Sequence, residues 1–226
     1  MQLREELFEL VDLKYRDFQQ GLLPGIEGIL GVRMPELRKI GKRIVKGDIQ
    51  DYLMNSPNEY FEEIMLKGIV IGYAKEPFHE KLKQIEDFLP LINNWCVCDV
   101  FVGGLKDIAL HKEEMWTCLS TNLNSVEEYR IRFGVVVLLN YYKQKEYIDK
   151  IFTSFDKIQS EKYYVNMSIA WAISMMYIDF REETLRYLKK NLLNTFTYNK
   201  SLQKIIESRQ ISFEEKEMIR EMKRKV

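Results

Sequence analysis

The sequence predicts an all-α protein built from stacked helix pairs, and three observations carry that expectation. Apolar residues recur at helical spacing along almost the whole chain, while the strict alternation of a half-buried strand is nearly absent. Helix-start residues punctuate the sequence at the points where that periodicity begins. Only five prolines and eleven glycines among 226 residues leave room for long uninterrupted helices.

The elements follow in order. The chain opens on an acidic, amphipathic stretch, Met1-Gln2-Leu3-Arg4-Glu5-Glu6, which begins a helix expected over about 2–20 and is unlike a basic and then apolar signal peptide. Pro35 stands in the favourable first turn of a helix running to about Lys46. A short helix is expected over 48–54. Ser56–Glu59 has the S-x-x-E form of a capping box, with Pro57 just inside it. It opens a helix over 58–74 whose apolar face is Phe61, Ile64, Met65, Gly68, Ile71 and Gly72. Helices over 78–90, 94–109 and 112–122 come next. Ser125–Glu128 repeats the box form before 126–143, and helices over 146–157, 161–178, 181–192 and 197–207 precede a last one over 213–224, opened by Ser212–Glu215. The connections are short, and no linker or shift in composition divides the chain. The pattern reads as a single domain over residues 1–226. It is an α-solenoid (an α-α superhelix) of HEAT-like repeats, about six helix pairs with a concave groove.

Composition sets outer bounds. At 46% hydrophobic and 30% charged, the chain is that of a folded protein with a water-exposed surface. No stretch approaches 18 apolar residues without a charge, so no membrane partner is expected. Three cysteines, Cys96, Cys98 and Cys118, form no disulfide framework and fit a reducing cytoplasm. Cys96-Val97-Cys98 has no second pair or nearby histidine, and His79 and His111 stand alone, so neither metal nor cofactor is expected. Formal net charge is zero, unlike most non-specific nucleic-acid binders. The distribution is less even. Residues 33–46 carry six bases (Arg33, Arg38, Lys39, Lys42, Arg43, Lys46) against the single acid Glu36.

The candidate site residues are those that do not fit the packing stripes. On the helix over 94–109 the stripe is Val97, Val100, Phe101, Gly104, Leu105 and Ile108, and Trp95, Asp99 and Lys106 project roughly opposite it. Trp95 and Asp99 are four apart and share a face. On the helix over 161–178 the stripe is Val165, Ile169, Ala172, Ile173 and Met176, with Trp171 pointing nearly the other way. Arg132 lies between, 37 residues after Trp95 and 39 before Trp171. These intervals approximate one repeat, so three successive repeats are expected to turn one residue each to a shared face. Packing between repeats is the ordinary role for such tryptophans, and the joint spacing favours a site.

These residues carry a resemblance. Asn94-Trp95-Cys96-Val97-Cys98-Asp99 resembles the W-x-x-x-D motif of the AlkD-type DNA alkylation repair family, the HEAT-like-repeat DNA glycosylases. Gly31-Val32-Arg33-Met34-Pro35-Glu36-Leu37-Arg38 is similar to its N-terminal G-x-x-x-P-x-x-R segment. Arg130-Ile131-Arg132-Phe133 stands where the family has a phosphate-facing arginine, and Ser168-Ile169-Ala170-Trp171 resembles its second tryptophan motif. The order and spacing hold over about residues 1–210.

The resemblance implies hydrolysis of the N-glycosidic bond of cationic alkylated purines, such as 3-methyladenine and 7-methylguanine, in double-stranded DNA. A purine already cationic leaves without protonation. Charge then develops on the deoxyribose, where the Asp99 carboxylate is expected to stabilise an oxocarbenium ion and orient water. Trp95 and Trp171 would frame sugar and lesion, each cation–π contact contributing about 0.5–2 kcal/mol. Arg132 would hold a backbone phosphate, with Arg130, Lys106, Arg33 and Arg38 as further DNA contacts. Lys200 and Lys204 lie in a stretch similar to the family's C-terminal basic helix. No basic residue accompanies Trp171 at Met167, Ser174 or Met175, and Glu59, Glu62 and Glu63 form an acidic group of undetermined facing. A monomer is expected. The competing readings are a non-catalytic relative that binds DNA structures, and a protein-interaction scaffold.

Overall fold

The computed structural model describes residues 3–225; Met1 and Gln2, where the first expected helix begins, lie outside the described residues, as does Val226. Among the described residues every regular element is helical. None of the helices is long and apolar enough to cross a membrane. The helices gather into two compact units, Met1–His111 and Lys112–Val226.

The first unit contains α1 (Leu3–Glu9), α2 (Leu13–Leu22), α3 (Met34–Ile44), α4 (Ile49–Asn55), α5 (Phe61–Tyr73), α6 (Phe78–Phe88) and α7 (Trp95–Gly104). Short 3₁₀ turns follow α6 at Leu89–Leu91 and α7 at Lys106–Leu110. Helix α5 is its axis, buried continuously from Phe61 to Ile71 and packed on α3, α6 and α7. Each large apolar side chain it buries, such as Met65 or Leu66, is stabilising by about 1.5–3 kcal/mol. The second unit contains α8 (Lys112–Leu123), α9 (Glu128–Tyr141), α10 (Ile148–Lys157), α11 (Tyr163–Asp179), α12 (Arg181–Lys189), α13 (Thr195–Glu207) and α14 (Phe213–Glu221). Here α11 packs on α9, α12 and α13. Each unit thus has a row of three inner helices, α3, α5 and α7 in the first and α9, α11 and α13 in the second, with the remaining helices beside it, the arrangement of a helical repeat solenoid.

Several boundaries differ from the sequence expectation, each for a local reason. The stretch expected as one helix over 2–20 is broken at Asp12, whose side chain accepts the Tyr15 N–H at 3.0 Å and caps a new helix. Ser56 does not open α5. It stands before Pro57 in extended conformation (φ −70°, ψ 138°) and ends α4 instead. The helix starts at Phe61, where the Glu63 carboxylate reaches back to the N–H groups of Glu59 and Tyr60. Ser125 likewise precedes its helix and accepts the Glu127 N–H at 3.1 Å. The Ser212–Glu215 box forms as expected.

Of the acidic group, Glu62 and Glu63 on α5 turn inward, while Glu59, ahead of the helix, is exposed and paired with Arg4. Glu62 is fully buried and accepts the N–H groups of Leu30, Gly31 and Val32 at 2.9, 2.7 and 3.1 Å. Burial raises its carboxyl pKa, and the three donors oppose that rise. Glu63 is paired with Arg4 at 2.7 Å. Glu62 therefore fixes the loop that leads into α3. Gly31 in that loop has φ +91°, and a Cβ there would lie 2.6 Å from the Asp12 carbonyl oxygen. Gly31→Ala is expected to cost about 1–3 kcal/mol in urea unfolding; an unchanged midpoint would show that the loop relaxes.

Candidate functional site

The site begins with the cap of α7. Buried Asn94 accepts the Val97 N–H at 2.9 Å, so the helix starts at Trp95 and its first turns carry Trp95 and Asp99 on one face. The helix buries Val97, Cys98, Phe101 and Val102, so the buried face begins beside Trp95, with Val102 nearly in line with it, and lies away from Asp99. Val100, expected in that stripe, is half-buried and faces open space. The helix ends at Gly104, short of the expected 109. The backbone turns at Leu105 (φ −80°, ψ 54°) into the 3₁₀ segment and presents Lys106 and Asp107 beside the helix.

A cleft of about 810 Å³ lies between α3, α5 and α7, and Asp99 lines it together with Arg38, Tyr73, Lys75, Lys106 and Asp107. Its floor is made where α5 and α7 approach without side chains: a Cβ on Gly72 would stand 3.1 Å from the backbone of Gly104. Lys81, 1% exposed, holds one rim by donating to the Ala74 carbonyl and the Asp107 carboxylate. Three cationic side chains, Arg38, Lys75 and Lys106, thus line the cleft with two half-exposed carboxylates, of which Asp107 is paired with Lys81. The Cys96 thiol registers the charge of Asp99: burial first, and then that carboxylate, push its pKa up to about 11.

Trp95 is half-buried, its indole Nε1 donating to the Leu22 carbonyl at 3.3 Å. That bond satisfies an orphan carbonyl at the end of α2 and fixes the ring beside the first turn of α7. Arg33, exposed, is held by Asp12 at 2.8 Å and lies over the Tyr15 ring at 4.9 Å.

In the second unit, Trp171 is half-buried on α11, opposite the buried stripe Val165, Ile169, Ala172, Ile173 and Met176. Arg132 corrects an expectation. It is 5% exposed, inside a buried run from Ile131 to Leu139, and its Nη1 donates to the Tyr164 carbonyl at 3.0 Å. Glu128, one turn earlier, accepts the Tyr164 N–H at 2.8 Å. The pair holds the backbone N–H and C=O of one residue at the start of α11, because a guanidinium drawn into so apolar a helix needs fixed acceptors. Arg132 is an internal tie between α9 and α11, not the exposed phosphate contact expected of it. Arg130 is bonded to Asn122 and Glu127, at 3.2 and 3.3 Å. On α13, Lys200 lies 5.7 Å over the Phe196 ring, and Lys204 is half-exposed.

The first unit thus brings Asp99, Arg38 and Lys106 to one cleft, with Trp95 on the same helix face as Asp99. Sequence reading missed Tyr73 and Lys75 there. Its signal was Gly72-Tyr73-Ala74-Lys75 at the end of an apolar helix, where a polar pair closes a stripe otherwise devoted to packing. Among curated proteins, no sequence matches the chain. The family model described as DNA alkylation repair enzyme matches residues 3–206, nearly the whole chain, and the protein belongs to that family.

Proposed function

We propose that the protein is a DNA glycosylase that hydrolyses the N-glycosidic bond of cationic N-alkylated purines, of the 3-methyladenine and 7-methylguanine type, in duplex DNA. The observation that carries this reading is a half-exposed carboxylate, Asp99, in a cleft rimmed by Arg38, Lys75 and Lys106. Cations at the rim suit phosphates of a strand, and the acid between them suits a sugar that becomes positive.

The chemistry balances without an added acid. The C1′–N bond breaks with both electrons leaving on the purine, which departs neutral because it was cationic. The deoxyribose is left as an oxocarbenium ion, and Asp99 stabilises it through space. Water then adds its oxygen to C1′ and releases a proton, giving an abasic site. Asp99 accepts a hydrogen bond from that water and so aims its lone pair. The Trp95 ring, held by Leu22, offers a π face to the cationic state in preference to neutral nucleotides. Arg132 acts by holding the start of α11.

The test is release of free base. N-methylated duplex DNA incubated with the protein is expected to yield 7-methylguanine and 3-methyladenine by chromatography, with alkali-labile abasic sites in equal number. Tight DNA binding with no release would replace this reading with that of a non-catalytic DNA-binding relative.

A further inference from the structure

A second cavity lies on the other side of α5. At 100° per residue, Lys67 and Ile71 face roughly opposite Ile69, Gly72 and Tyr73 of the Asp99 cleft. This cavity, about 150 Å³ between α4, α5 and α6, is lined by Lys67, Gln84 and Asp87 and by the apolar Leu53, Ile71 and Phe88. The proposed repair chemistry uses none of these residues.

Buried Lys67 points to an occupant, and Gln84 adds an unmet polar group to the wall behind it. Lys67 is 6% exposed, and its Nζ donates to the Ser56 carbonyl at 3.1 Å. An ammonium has three donors, and this one bond leaves capacity for more. Burial lowers its pKa; the nearby Glu63 carboxylate opposes that, although it is itself engaged by Arg4 and two N–H groups. Gln84 is 8% exposed, and its Nε2 donates to Glu76, which also accepts from Gln50 at 3.1 Å. A carboxylate only accepts, so the amide orientation is fixed and Oε1 must face elsewhere. That oxygen is buried, and no donor among the described residues reaches it. Leaving it unmet is costly.

The charges narrow the ligand class. The lining holds one ammonium, Lys67, and one exposed carboxylate, Asp87. A simple anion would meet Asp87, and a simple cation would meet Lys67. We propose that this cavity binds a small zwitterion with a short apolar side chain, of the α-amino-acid class. Its carboxylate faces Lys67, its ammonium faces Asp87, and its side chain packs on Leu53, Ile71 and Phe88.

Calorimetric titration of the full chain with L-leucine tests this, with isovalerate and isopentylamine as arms that each carry one of its two charges. Leucine is expected to bind, and each analogue to bind about tenfold more weakly or worse. Lys67→Met is expected to abolish leucine binding, and Asp87→Asn, at an exposed position, to weaken it about tenfold without loss of fold. Absence of binding by millimolar leucine overturns the proposal, and so does unchanged affinity in Asp87→Asn, which decides the matter even if Lys67→Met does not fold. Base release is not read in this experiment, so its outcome is separate from that of the repair reading.

Discussion

Replacing Glu62 by alanine is expected to cost at least about 3 kcal/mol of stability, because three buried N–H groups lose their acceptor at once. A loss of that size is a large part of the about 5–15 kcal/mol that holds a domain together. It corresponds to a melting temperature lower by roughly 6–12 °C. The effect should spread beyond the cavity left behind. The loop that Glu62 holds leads directly into α3, which carries Arg38 to the cleft. Glu62→Gln retains one acceptor oxygen and should lose less. Thermal unfolding of both variants checks the order. Equal stability of wild type and Glu62→Ala would mean that backbone or solvent groups replace the carboxylate readily.

The second large effect concerns catalysis. Asp99→Asn preserves size and an acceptor oxygen but removes the negative charge, so release of 7-methylguanine should fall about 10²–10³-fold or more. The melting temperature should move little, because the side chain is half-exposed. Cys96 supplies a readout independent of activity. Its thiol is raised to about 11 partly by the Asp99 charge, so the variant thiol should be more acidic and should alkylate at lower pH. An unaltered Cys96 titration in the variant would show that the Asp99 charge does not act on the thiol.

How far the molecule was legible in its sequence depended on the range of the interactions. Helical periodicity is local, and it gave the all-α fold and nearly every helix. Capping was legible where the cap closes within one turn, as at Ser212–Glu215, and misread at Ser56, where the following proline forces the chain out of the helix. Long-range bonds were not legible. Glu62 and Leu30 are 32 residues apart, and nothing in either neighbourhood says that the acid turns inward. Trp95 and Asp99 share one side of α7 as their spacing of four requires, but the buried stripe is rotated from the expected one, taking in Cys98 and Val102 and leaving out Val100, so that Trp95 stands at its edge. Arg132 was expected at a phosphate from its spacing and family pattern, while the apolar run Phe133–Leu139 beside it already indicated a helix buried on all sides. Tyr73 and Lys75 went unnoticed because their role depends on how α5 crosses α7, a packing relation that sequence spacing does not encode.

The central claim is electrostatic: the Asp99 cleft favours a deoxyribose that carries positive charge. Duplexes bearing a cationic pyrrolidine abasic analogue and a neutral tetrahydrofuran analogue at the same position measure this directly, by fluorescence-anisotropy titration at fixed salt. The wild type is expected to prefer the cationic duplex by about tenfold or more, and Asp99→Asn to bind both alike. Equal affinity of the wild type for the two duplexes, or a preference that survives in Asp99→Asn, would contradict the account.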